Sequence, residues 1–159
     1  MSFSSVLQNI ADAEQGPKTC AVFDFDGTII SGYSATAFLK DQIARGEISP
    51  ADLVQLTQAT TRFGIGSLGF SALMAVHAQY LAGRSETDYV ANSERLSRRA
   101  IAKLIYPEAR QLIEAHRAAG HSIAIISSAT PYQVLPAARD LGIEHVYATD
   151  LEVEDGQFT

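Results

Sequence analysis

Apolar residues run unbroken in two short stretches and recur at helical spacing nearly everywhere else. Thr19-Cys-Ala-Val-Phe-Asp-Phe-Asp26 is a short apolar run that stops at two acids and Gly27-Thr28, the pattern of a buried parallel strand emptying into a loop. Ser122-Ile-Ala-Ile-Ile-Ser127 has the same form, and a third short strand is expected near 145–148. Between them, from about Ser34 to Arg99, apolar positions follow the helical period, as in Leu53, Leu56 and Ala59, or Leu73, Val76, Tyr80 and Leu81. Breaks fall at 46–50, 64–69 and 83–85, and no strand pattern appears in that stretch. Pro107 opens a helix stopped by Gly120, and Thr130-Pro131 gives an N-cap and first-turn proline to a helix ended by Gly142. An amphipathic segment over 4–13 precedes the turn Gln15-Gly16-Pro17, and Leu151 to Thr159 alternates around Asp155-Gly156 as a β-hairpin.

This order describes an α/β chain: two parts of a parallel βαβ core flank a helical insertion of roughly seventy residues, longer than one crossover helix requires. The expected organisation is an N-terminal arm over 1–18, a core from 19–32 and 104–159, and a helical cap over 33–103. No internal repeat or low-complexity tract interrupts it.

Composition narrows the function classes. The 159 residues are 47% hydrophobic and 19% charged, with 18 acidic against 12 basic side chains, a net charge of −6 and a pI near 5.1. A surface built to neutralise many phosphates needs clustered Lys and Arg, so nucleic-acid binding is not expected. The one cysteine, Cys20, reads as a small buried hydrophobe and fits a reducing compartment. No segment has the form of a signal peptide or a membrane span, and a cytoplasmic location is expected.

The chemistry concentrates at Asp24-Phe25-Asp26-Gly27-Thr28. A spacing of two puts both carboxylates on one side of the strand end, and Gly27 permits a sharp exit. Two carboxylates about 4 Å apart repel by about 4 kcal/mol at an effective dielectric near 20. A shared cation resolves that repulsion, and an oxygen-only ligand set at a strand end suits Mg²⁺, with Asp24 and Asp26 as metal ligands. The carboxyl end of a strand is also where open α/β sheets place their ligands.

Val22-Phe23-Asp24-Phe25-Asp26-Gly27-Thr28 resembles the first motif of the haloacid dehalogenase superfamily, an apolar strand followed by Asp-x-Asp-x-Thr. The resemblance implies a Rossmann-like parallel-sheet core with a helical cap inserted between the first and second motifs. It implies that Asp24 is the nucleophile that takes up phosphorus and that Asp26 protonates the leaving oxygen and then activates water. The family's metal is held by the first Asp side chain, the backbone carbonyl of the second and an acid from a later motif. The second motif, a Ser or Thr ending the next apolar strand, is matched by Ser127 after Ile123-Ala-Ile-Ile126, at a helix N-terminus that favours an anion. Thr28 and Ser128 are the further candidate phosphate contacts. The stretches 135–142 and 146–156 look like the phosphoserine-phosphatase-like branch (subfamily IB). The implied function is Mg²⁺-dependent hydrolysis of a small phosphomonoester through an aspartyl-phosphate; phosphotransfer is a related reading.

Departures from the pattern shape the expectation as well. No Lys follows Ser127, so the third-motif cation is missing; Lys103 lies too early, and Arg139 is expected in a salt bridge or in solvent. Asp150, Glu152, Glu154 and Asp155 lie too early for the acidic pair of the fourth motif. The core is therefore expected to be truncated, and the alternative to catalysis is an incomplete domain serving as a regulatory or interaction module in a longer fusion protein. Strand 20–26 should be an edge exposing Val22, Phe23 and Phe25, covered by a homodimer partner, by the arm or by a missing C-terminal segment. Tyr33 stands where phosphoserine phosphatases carry an amine-binding Glu nine residues after the nucleophile, so phosphoserine specificity does not transfer. Arg62 and Arg84 are expected at the surface of the cap. Gly64-Ile-Gly66-Ser-Leu-Gly69 spells a dinucleotide fingerprint without a preceding strand and reads as a cap loop. Arg95, Arg98, Arg99 and Lys103 are spaced as a basic stripe on one helical face. The four histidines show no metal spacing.

Overall fold

A computed structural model describes residues 2–67, 76 and 78–159, without the side chain of Phe63. Leu73, His77 and the last two positions of the 64–69 fingerprint lie outside the described residues. The elements are α1 (Phe3–Asp12), β1 (Cys20–Phe23), α2 (Ser34–Ala44), α3 (Pro50–Gly64), α4 (Glu86–Arg99), a 3₁₀ turn (Ile101–Leu104), α5 (Pro107–Ala118), β2 (Ser122–Ile126), α6 (Pro131–Asp140), β3 (His145–Tyr147), β4 (Val153–Glu154) and β5 (Gln157–Phe158). Their punctuation follows the sequence. Ser2 caps α1 by accepting the N–H of Ser5 at 3.2 Å, and Pro107 and Pro131 sit in the first turns of α5 and α6. Gly120 and Gly142 take φ of 71° and 64° just past the ends of those helices, a region costly to any residue with a Cβ.

The three longer strands form one parallel sheet in the order β1-β2-β3, with Phe23 opposite Ile125 and Ile125 opposite Val146. That row faces a core that includes Ile113 of α5, Val134 and Ala137 of α6, and Ile101 of the 3₁₀ turn. Full burial of an Ile or Val side chain such as these contributes about 1.5–3 kcal/mol. Helix α1 packs on α5.

The chain divides into two compact units, one of residues 1–37 and 92–150, the other of residues 38–91 and 151–159. The boundaries fall inside α2, inside α4 and just before residue 151. In the second unit the β4–β5 hairpin turns through Asp155 and Gly156, at φ 50° and 75°. Phe158 is buried edge-on against Tyr89, with centroids 5.3 Å apart, and Tyr89 in turn meets Phe38 at 5.9 Å. Burial pushes the Tyr89 phenol up to about 12. Backbone bonds from Gly83 to Phe158, Phe158 to Arg84 and Glu86 to Gly156 tie the hairpin to 83–86. Sequence order placed 151–159 with the core; the apolar anchor Phe158 and these bonds place it with 38–91.

Other expectations change for local reasons. Cys20 is exposed, because the alternation of β1 turns Ala21 inward and Cys20 and Val22 outward. The strand ends at Phe23, and Phe25 is fully buried because the chain turns after Asp24 and carries the ring into the core. Among the described residues β1 pairs with β2 alone, so it is an edge of its sheet. The basic stripe is broken: Ala100 leaves helical geometry at φ −125°, and Lys103 belongs to the 3₁₀ turn. Gly64 closes α3 and no strand precedes it, as a cap loop requires.

Candidate active site

The turn after β1 is built around one carbonyl. The oxygen of Phe25 accepts the N–H groups of Thr28, Ile29 and Ile30 at 3.3, 2.9 and 3.1 Å. Gly27, at φ 75°, donates to the carbonyl of Gly32 at 2.8 Å and closes the loop. Phe25, Ile29 and Ile30 are each fully buried and anchor it from below. Backbone bonds from Tyr106 to Ile29 (3.0 Å) and Ser31 to Leu104 (2.8 Å) fasten its far side. With Phe25 turned into the core, Asp24 is left exposed and Asp26 half-buried on either side of it.

Asp26 is held at both oxygens. Ser34, the first residue of α2 and completely buried, donates its N–H to Oδ1 at 2.8 Å and its hydroxyl to Oδ2 at 3.1 Å. Burial raises the Asp26 carboxyl above the ordinary carboxylate range; the two Ser34 bonds oppose that, and the nearby charge of Asp24 adds to it. The proton is thus easier to keep on Asp26 than on a solvated aspartate, as a general acid needs. Nothing in the sequence pattern singled out Ser34; its one signal is its place as a small hydroxyl residue opening a helical run after Gly32.

The parallel register brings the second candidate cluster to the same end of the sheet. Phe23 lies opposite Ile125, so the segments that follow them leave the sheet side by side. Ser127 is buried; its N–H donates to the carbonyl of Tyr147 at 2.9 Å and its Oγ accepts the N–H of Ala129 at 3.1 Å. Among the described residues no acceptor takes the Ser127 hydroxyl hydrogen. Thr130 caps α6, with Oε1 of Gln133 accepting both its N–H (2.7 Å) and its hydroxyl (2.9 Å). Ser128, between them, is exposed, as is Thr28 in the first loop.

Several residues weighed from sequence belong to other contacts. Arg139 pairs with Glu94, and Arg98 lies 3.6 Å from the same carboxylate. Arg84 bonds the side chain of Glu47 and, at 3.0 Å, its carbonyl. Asp150 is in the first unit, whereas Glu152, Glu154 and Asp155 are in the second. His116 and His121, which sequence spacing left unrelated, are brought together at 2.9 Å.

A family model for haloacid dehalogenase-like hydrolases matches residues 21–159, from the middle of β1 to the end of the chain. The chain belongs to the haloacid dehalogenase-like hydrolases. This member is 30% identical, over 146 residues, to a probable phosphatase of Mycobacterium tuberculosis, covering 89% of this chain and 50% of that protein. It is 33% identical over 144 residues to a phosphoserine phosphatase of the same organism, covering 87% of this chain and 46% of the relative. A solved structure from Bordetella pertussis superposes with a TM-score of 0.79 at 25% identity, over 89% of this chain and 64% of the other. These likenesses place the haloacid dehalogenase-like chain in the phosphoserine-phosphatase-like branch. It spans about half the length of the curated relatives it matches.

The donor set of this family member suits a hard cation but is short. Asp24 offers an exposed carboxylate, while the Asp26 side chain is occupied by Ser34 and leaves its backbone carbonyl as the donor. Among the described residues no group of three His, Cys, Asp or Glu side chains is placed to hold a metal. Two oxygen donors fit Mg²⁺, which keeps several waters and takes few protein ligands.

Proposed function

We propose that the chain is the nucleophile-bearing part of a Mg²⁺-dependent phosphomonoester hydrolase that works through an aspartyl-phosphate on Asp24. The observation that carries the reading is the division of labour between the two acids: Asp24 is exposed to attack, and Asp26 is half-buried, clamped and biased toward its protonated form. A carboxylate oxygen of Asp24 attacks phosphorus while Asp26 delivers its proton to the departing alkoxide, and the Asp24–phosphate bond forms as the ester P–O bond breaks. Asp26, now a carboxylate, takes a proton from water, whose oxygen attacks phosphorus and returns Asp24. Ser127 donates its hydroxyl to the transferring group, with Thr28 and Ser128 as further contacts. Asp24 and the Asp26 carbonyl would hold Mg²⁺, which would supply positive charge against the phosphoryl oxygens.

The substrate class is a small phosphomonoester. Tyr33, 69% exposed, gives no carboxylate for an amine, so phosphoserine itself is not the proposed substrate. The cap over 33–103, with the 151–159 hairpin packed alongside 38–91, the core over 19–32 and 104–150 and a cytoplasmic location are parts of the same reading; among the described residues no helix is long and apolar enough to cross a membrane. The unpaired edge of β1 is covered in the working protein by a second copy or by further polypeptide. A second reading, a non-catalytic interaction module, draws on the short donor set and on the pairing of Arg139 with Glu94.

The test is acid quenching of the full-length protein during turnover of a phosphomonoester, followed by peptide mass spectrometry. Phosphate on the peptide that contains Asp24 is expected. Turnover with no phosphorylated peptide would overturn the covalent route, and absence of turnover would favour the interaction module.

A further inference from the structure

Ser34 lies outside the motif residues, yet it takes up both oxygens of the Asp26 carboxyl group. Its N–H belongs to the first turn of α2, where backbone donors have no partner within the helix, and Asp26 Oδ1 satisfies it at 2.8 Å. Its hydroxyl reaches Oδ2 at 3.1 Å. A side chain with no exposed surface has no alternative rotamer open to solvent, so the two bonds fix the plane of the carboxyl group as well as its position. The donors also differ in kind. A backbone N–H can only donate, which keeps Oδ1 an acceptor, whereas a hydroxyl can rotate, which leaves Oδ2 able to carry hydrogen.

From this geometry we infer that Ser34 is a positioning residue: it orients the Asp26 carboxyl group so that Oδ2 is the oxygen that hands a proton to the leaving group. The inference rests on the proposed phosphatase reading and adds to it a residue that acts only through Asp26. A misoriented acid matters in proportion to how much the leaving group needs a proton. An alkoxide needs it; p-nitrophenolate, a far weaker base, scarcely does.

The experiment compares the full-length protein and its Ser34→Ala variant with an alkyl phosphate and with p-nitrophenyl phosphate, and repeats the substitution in an Asp26→Asn background. The expected result is a kcat/KM, which reports only the steps up to the aspartyl-phosphate and so excludes the water activation that both esters share, about tenfold lower on the alkyl ester and about twofold lower on the aryl ester, a small part of the 10²–10⁴-fold typical of general acid catalysis. KM should change little. In the Asp26→Asn background the Ser34→Ala substitution should have no further effect on aryl ester hydrolysis, because the group it acts through is gone. An equal loss on both esters, no loss on either, or an undiminished loss in the Asp26→Asn background would overturn the inference while leaving the phosphatase reading in place. A parent protein that hydrolyses neither ester would instead overturn the reading on which it rests.

Discussion

His116 and His121 face each other Nδ1 to Nδ1 at 2.9 Å, although one closes α5 and the other opens the approach to β2. His121 Nε2 lies 3.0 Å from the carbonyl of Glu14, which can only accept, so Nε2 carries hydrogen and Nδ1 of the neutral ring is the acceptor. His116 then donates through Nδ1, and its ring also meets the Phe23 ring edge-on at 6.1 Å. Burial and, after it, the neighbouring His121 hold His116 below its ordinary 6.5. The folded protein therefore binds that proton less readily than the unfolded chain. Stability from this term is fully present above 6.5 and is lost as pH falls through 6.5 toward the lower folded value. Urea unfolding midpoints should drop between about pH 7.5 and about pH 5.5, and a His116→Gln variant should show a shallower drop. An identical slope in the variant would contradict the assignment.

Phe25 separates the two acids in sequence and anchors them in space. Its ring is fully buried in the core cluster, and its carbonyl gathers three N–H groups. Phe25→Ala should cost about 3–5 kcal/mol, a large share of the 5–15 kcal/mol typical of a domain. Denaturant titration of the variant checks it. A loss under about 1 kcal/mol would mean that the loop is held by its backbone bonds alone.

What the sequence disclosed was the local grammar. Helix stops at Gly120 and Gly142, the N-cap at Thr130 and the turn at Asp155-Gly156 all depend on a few adjacent residues, and the strands at 20, 122 and 145 announce themselves by apolar runs. The acid pair was legible for the same reason. Contacts across long separations were not: the Phe158–Tyr89 packing that draws the hairpin to 38–91, and the Ser34 clamp on Asp26 eight residues away, leave no periodic trace. An apolar run suggests burial on both faces, but along β1 alternate side chains face outward, which leaves Cys20 exposed.

The metal should bind weakly to this chain. Asp24 and the Asp26 carbonyl are two donors against an octahedral requirement, and Mg²⁺ sheds water reluctantly. Calorimetry on the 159-residue chain should give millimolar or undetectable Mg²⁺ affinity. Micromolar binding would require another acid, with Asp150 the first to test by Asp150→Asn.

Asp24 carries the covalent chemistry of the proposed reaction. Hydrolysis of p-nitrophenyl phosphate with Mg²⁺ by the full-length protein and its Asp24→Asn variant tests it most directly, because the amide keeps the shape of the exposed side chain and removes its nucleophilic oxygen. The variant should fold, with the parent's circular dichroism, and show essentially no turnover. Near-parental turnover by a folded Asp24→Asn protein would contradict it.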